Sequence, residues 1–250
     1  MPLNPPKATS KVSVLLYHRV GPAQTRRPHY CDVDSFRAQM NWLKWAGCEV
    51  ISLQQAYEGL FGDGPLPKRP VVISFDDGFQ DFYDCAFPIL QDFGYPSVVF
   101  VVAGLLGQPA KWLVDGSGDE SIMASETLQA LLRSGRVEIG AHTVNHPRLP
   151  DLPVKDRDEE ISRSKAILED VLGEAVESFA YPFGRYDPAV RDAVVSAGYK
   201  TALTVNRGLA NAAPNPYEIP RKAISWGDNA VGFFYKLFLD NTLKRRPRQS

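Results

Sequence analysis

Short apolar runs alternate with helix-patterned stretches along almost the whole of this chain, and that alternation most limits the folds open to it. Residues 12–17, 71–75, 97–102, 137–139, 179–181 and 201–205 are short, apolar and rich in β-branched or aromatic residues, as buried strands are. Between them apolar residues recur at helical spacing. Phe36, Met40, Leu43 and Trp45 lead to a stop at Gly47, with Asp32 or Asp34 as N-cap, and Phe79, Tyr83, Phe87 and Leu90 form a second set. Further helices fall near 125–132, 154–172 and 188–197, and Ser52 with Gln55 has the spacing of a capping box ahead of 56–60. Repeated strand–helix units imply a parallel sheet, because parallel neighbours need a crossover that a helix supplies. In such sheets the chemistry gathers on the loops that follow the strands.

With 250 residues and 44% hydrophobic content, the chain can bury one sizeable core. We read one catalytic domain over 11–240, a flexible lead-in over 1–10 and a basic tail over 241–250. A net charge of -1 gives no reason to expect nucleic acid as a partner. Cys31, Cys48 and Cys85 are odd in number and match neither a zinc knuckle nor a disulfide framework, so they read as small apolar residues. No apolar run reaches the roughly 18 residues of a membrane span. The first ten residues lack the apolar stretch of a secretory signal, which reads as cytoplasmic unless a leader has been removed. At the other end, the aromatic stretch 231–239 leads into Lys244-Arg-Arg-Pro-Arg248. A packed last helix with a solvated tail is the favoured reading, and peripheral contact with an anionic membrane is the alternative.

Asp76 and Asp77 close the 71–75 run, and His142 and His146 follow the 137–139 run. A carboxylate and two imidazoles suit a divalent transition ion with one position left open. Neighbouring side chains on extended backbone point to opposite faces, so one aspartate should ligate while the other faces a bound water. Gly78 lets the chain turn closely past the ion, and Pro147 biases His146 away from helical angles, which puts the histidines on a loop or single turn. Asp-Asp-Gly alone is a common turn and His-x-x-x-His alone is common by chance. With only four histidines in the chain, their joint placement after two strands carries the reading.

Three segments in order, Ser74-Phe-Asp-Asp-Gly78, Ile139-Gly-Ala-His-Thr-Val-Asn-His-Pro147 and Phe179-Ala-Tyr-Pro-Phe-Gly184, resemble the motifs of the polysaccharide deacetylases, carbohydrate esterases that share the NodB-homology domain. With Leu16-Tyr-His-Arg19 and Ile219-Pro-Arg221, the resemblance covers nearly the whole chain. It implies a distorted, incomplete (β/α) barrel and hydrolysis of N-acetyl groups on an amino sugar or polysaccharide. It also implies roles. Asp77, His142 and His146 would hold a divalent metal, zinc in most members, and Asp76 would be the general base toward its water. The Tyr181 N–H would steady the oxyanion, and Pro182 and Phe183 would form a wall of the substrate groove.

Two positions depart from the family pattern. Ala180 stands where many members carry the Arg that orients the catalytic Asp. Arg221, grouped with the substrate side of the site, is the suggested substitute, against the alternative of a solvated surface arginine. The usual late Leu-x-His is missing, because no histidine follows His146. An amine needs a proton in order to leave, and His18, closing the 12–17 strand, would supply it. The resemblance on this point is to members that deacetylate poly-N-acetylglucosamine; a strand-end histidine without a chemical role is the alternative. His29 is assigned to solvent or the groove mouth. The stretch 106–121 reads as an ordered surface loop with Trp112 buried, or else as an overhang above the groove. A cytoplasmic enzyme would act on a nucleotide-linked or lipid-linked precursor. Rival functions are a deacylase of a non-sugar amide or lipid-linked sugar, and a carbohydrate-binding protein without turnover, which intact Asp76, Asp77, His142 and His146 argue against.

Overall fold

The protein is seen as a computed structural model that describes residues 4–22, 29–112, 120–225 and 227–239. All six apolar runs are strands: β1 (Ser13–Tyr17), β5 (Pro70–Phe75), β6 (Ser97–Val101), β7 (Val137–Ala141), β8 (Ser178–Ala180) and β9 (Thr201–Leu203). Four strands of two or three residues add to them: β2 (Arg19–Gly21), β3 (Tyr30–Asp32), β4 (Glu49–Val50) and β10 (Lys222–Ala223). The main sheet runs β10-β1-β5-β6-β7-β8-β9, with β4 beside the start of β5, and every pairing is parallel. Among the described residues β9 and β10 form no ladder with each other; Leu203 of β9 makes an isolated parallel bridge to Ile219, ahead of β10, which leaves an incomplete barrel.

Both faces of this sheet are covered, which is why its strands read as unbroken apolar runs. Along β5, Val71, Ile73 and Phe75 join the larger core cluster beneath the helices, while Val72 joins the cluster that includes Val14, Val98, Phe100, Ala180 and Leu203. Ser74 shares the face of Val72, and the next residue in that row is Asp76. The strand therefore aims the carboxylate into the barrel mouth.

The helices are α1 (Val33–Trp45), α2 (Leu53–Phe61), α3 (Phe87–Phe93), α4 (Ser125–Arg133), α5 (Val154–Leu172), α6 (Pro188–Ser196) and α7 (Ala230–Phe234). Asp32, not Asp34, caps α1, accepting the Ser35 N–H at 2.8 Å, and Ser52 caps α2 through the Gln55 N–H at 3.0 Å. The helix read from Phe79 begins one residue later, at Gln80, and passes through a π-helical turn over Phe82–Ala86 into α3. Phe79 is instead bridged to Ile122, and the Gln80 N–H donates to Ser121 O, so this stretch is drawn into the loops around the barrel mouth.

In the described part of the lead-in, the Lys7 N–H donates to Leu60 O at 2.9 Å, and Asn211 Nδ2 donates to Ala8 O and Ser10 O. The 231–239 stretch packs through Phe233 and Leu237. The basic tail, and with it the membrane contact suggested for it, lies outside the described residues. Among those residues, no helix is long and apolar enough to cross a membrane. Cys31 and Cys48 are buried, Cys85 is half-buried, and all are free.

Candidate active site

The loops after β5 and β7 meet at the C-terminal rim of the sheet. At Asp77 the backbone enters the left-handed region with φ 75°, and Gly78 follows at 77°. A Cβ on Gly78 would also stand 3.0 Å from Val101 Cγ1, so conformation and packing both call for glycine. This curl breaks the alternation of the strand, turning Asp77 toward the histidines while Asp76 keeps facing the barrel interior. After β7, Thr143 (φ 66°) and His146 (φ 60°) fold the chain into a tight loop. Thr143 Oγ1 accepts the His146 N–H at 3.0 Å. Glu160, from α5, accepts the Val144 and Asn145 N–H groups at 2.9 Å each and the Asn145 side-chain amide at 2.6 Å.

Asp77 Oδ1 lies 3.5 Å from His142 Nε2 and 3.3 Å from His146 Nε2, and one donor atom from each of the three residues lies within 4.8 Å of the others. All three are buried. His142 Nδ1 sits 2.8 Å from Ala180 O, a contact that places a proton on Nδ1 and turns Nε2 toward Asp77 as the atom offered to an ion. His146 Nδ1 is buried with no hydrogen-bond partner among the described residues. Two imidazole nitrogens and a carboxylate oxygen converging in this way fit a divalent ion with an open position.

The electrostatics agree. Burial opposes ionisation of Asp77, but hydrogen bonds from His142 and His146 hold its carboxyl well below the usual range. Burial likewise lowers His142, yet Asp77 and Asp76 outweigh it and the net shift is upward, whereas at His146 burial prevails and the shift is downward. Ion binding must displace the proton that His142 then carries, so the site should empty as pH falls.

Asp76 is gripped from below. Arg221 Nη1 and Nη2 each lie 2.7 Å from one of its oxygens, while Nε donates to Thr204 O at 2.9 Å and Nη1 also reaches Ser74 Oγ at 3.3 Å. Burial works against the Asp76 anion, but Arg221, followed by His142, keeps it below the ordinary carboxylate range. Arg221 is thus neither a surface residue nor part of a substrate groove: its side chain is 0% exposed and its donors are committed beneath Asp76. It reaches Asp76 from the edge of the sheet, immediately ahead of β10.

Tyr181 differs from its expected role. Its N–H donates to Leu203 O at 3.2 Å, extending the β8–β9 pairing by one residue, and its hydroxyl donates to Tyr217 O. The N–H assigned to an oxyanion is therefore engaged in the sheet. Pro182 is buried, and Phe183, at φ 56°, carries the exposed surface of that motif. Its ring lies 4.5 Å from that of His146, whose ring also lies 4.3 Å from Trp112. Trp112, half-buried, therefore borders the site, while residues 113–119 of that stretch lie outside the described residues. His18 follows β1 directly at the C-terminal end of the strand, and burial lowers its pKa against the opposing pull of Asp77 and Asp76. Exposed His29 lies beside it, 4.7 Å between ring centres.

Glu160 carries no motif signal, since its partners stand 15 and 16 residues away. Glu160→Ala should weaken divalent-ion binding by about 10–100-fold, the usual effect of removing a group that orients ligands. Competition against a chromophoric chelator measures this; unchanged affinity would show that the loop holds its shape without Glu160.

A parallel, incomplete barrel with a buried Asp-His-His set and an arginine-clamped carboxylate at its C-terminal rim defines a hydrolase-type α/β domain. Residues 63–202 match the family model for polysaccharide deacetylase, and the chain belongs to that family. It is similar to the poly-beta-1,6-N-acetyl-D-glucosamine N-deacetylase of Escherichia coli K12, at 30% identity over 222 residues, covering 76% of this chain but only 33% of that protein. Among solved structures, IcaB from Ammonifex degensii superposes with a TM-score of 0.77 at 26% identity, covering 90% of this chain and 98% of the other. The Streptococcus pyogenes deacetylase PplD, in complex with acetate, shows the same fold with a TM-score of 0.79 at 24% identity, covering 91% and 98%.

Proposed function

We propose that the chain is a metal-dependent N-deacetylase of N-acetylated amino sugars or their polymers. The observation that carries this reading is the pairing of a convergent Asp77, His142 and His146 with an adjacent Asp76 held ionised by Arg221. When bound, a divalent ion, zinc first, supplies a Lewis acid and lowers the pKa of its water to about 7. Asp77, His142 and His146 hold the ion. Asp76 accepts the proton of the attacking water: each of its oxygens receives one bond from Arg221 and keeps a further lone pair. His18, as the imidazolium, would deliver a proton to the departing nitrogen, and with the proton taken up by Asp76 released, water plus amide become acetate plus ammonium. Phe183 and Trp112, both packed against the His146 ring, offer aromatic faces to the apolar side of a sugar ring. The poly-N-acetylglucosamine named for the E. coli relative is the first substrate to test, in a panel of N-acetylated sugars and lipid-linked sugars with acetate release as readout. No release from any of them by the metal-loaded protein would favour a binding protein without turnover.

His18 is tested by leaving group. His18→Ala should lower turnover of an N-acetyl sugar by about 10²–10⁴ with metal retained, and barely change an aryl acetate, whose phenolate leaves unaided. His29→Ala should leave both nearly unchanged. An equal fall on both substrates for His18→Ala would make that residue structural.

A further inference from the structure

Arg19 stands next to His18 and is held from four sides. Its Nε lies 2.7 Å from Asp81 Oδ2, and a second ion pair ties its guanidinium to Glu120. The same guanidinium lies 5.0 Å from the ring centre of Tyr30 and 4.8 Å from that of Phe79. These partners belong to separate segments: Tyr30 to β3, Phe79 and Asp81 to the stretch just past Asp77, and Glu120 to the stretch that pairs with it. Backbone contacts follow the same pattern. The Arg19 N–H donates to His29 O at 3.3 Å, the Gln80 N–H to Ser121 O at 2.9 Å and the Met123 N–H to Gly78 O at 2.9 Å. One planar cation is thus the common member of three segments around the barrel mouth, and its own backbone carries the histidine.

Stability alone does not account for this arrangement. Arg19, Asp81 and Glu120 are each 14–16% exposed at the side chain, and burial pushes Asp81 up to about 6 despite Arg19 and the Val20 N–H. Taking such charges out of water costs about what their attraction returns, so an apolar set would pack as well. A guanidinium fork between two carboxylates and two rings supplies fixed direction instead. We propose that Arg19, Asp81 and Glu120 are positioning residues that aim His18 at the departing amine. This rests on His18 being the acid.

Asp81→Asn keeps the shape and removes the charge. In the metal-loaded protein, kcat for an N-acetyl sugar should fall by about 10–100-fold, the scale of a misplaced catalytic group, with KM within about twofold. Aryl acetate turnover and metal content should be unchanged. Arg19→Lys, which keeps the charge but not the fork, should give a similar selective loss. In a His18→Ala background, Asp81→Asn should cost nothing further, because the group it positions is gone. Equal loss on amide and ester, or full additivity with His18→Ala, overturns the positioning role. If His18→Ala is selective for the amide and Asp81→Asn is not, the positioning inference alone fails; if His18→Ala is itself unselective, the acid assignment fails and this inference with it. Should Asp81→Asn fail to fold, Glu120→Gln carries the same expectations on the same substrates.

Discussion

His142→Ala should strip the protein of stoichiometric divalent metal and abolish deacetylation, because Asp77 and His146 alone hold such an ion poorly. Asp76→Asn should do the opposite on the first count. With its oxygens turned to Arg221 and not to the ligand set, it should keep full metal content while turnover drops by about 10²–10⁴, the usual contribution of a general base. Elemental analysis beside acetate release separates the two. Metal lost from Asp76→Asn and retained in His142→Ala would exchange the roles of ligand and base.

The largest effect on stability should come from Arg221→Met. It leaves Asp76 buried without a cation, and breaking a buried pair from one side costs about 3–5 kcal/mol. Protonation of Asp76 limits the loss. The double variant Asp76→Asn with Arg221→Met should recover much of it, since no uncompensated charge remains. The pH dependence has a definite sign. Asp76 is held below its unfolded value, so the pair stabilises the native state at neutral pH, and that contribution fades as pH falls through the lowered value. Urea unfolding should therefore show wild type and Arg221→Met converging toward acid. A constant gap at every pH would mean that Arg221 stabilises through packing on Phe100, 5.7 Å away, and not through charge.

The strands and ligands were legible because their signals are local. Burial on both faces makes a parallel strand an apolar run, and Asp77, His142 and His146 follow such runs directly. Long-range partners leave no such trace. Ala180 supplies a carbonyl to His142 across 38 residues, and Asp81 meets Arg19 across 62. Tyr181 shows the converse: a motif names the residue, but whether its N–H is available depends on how far β8 pairs with β9. The helix expected from Phe79 starts one residue on, because Phe79 itself is bridged to Ile122. Arg221 was legible only as the answer to a vacancy at Ala180, and its burial only from the fold.

The clamp on Asp76 also has a consequence for the order of assembly. Asp76 and Arg221 are 145 residues apart, and Arg221 directly precedes β10, which docks on β1 at the edge of the sheet. During synthesis the amino-terminal segments leave the ribosome first, and pairings between distant segments form late. Until β10 arrives, a collapsed intermediate that already buries Asp76 lacks the cation that keeps it ionised, and burial alone drives such a carboxyl to its neutral form. A nascent chain, or one cut before Arg221, can gather the three metal ligands and still hold its base protonated. On the proposed mechanism, the ionised base thus waits on β10, the last strand among the described residues.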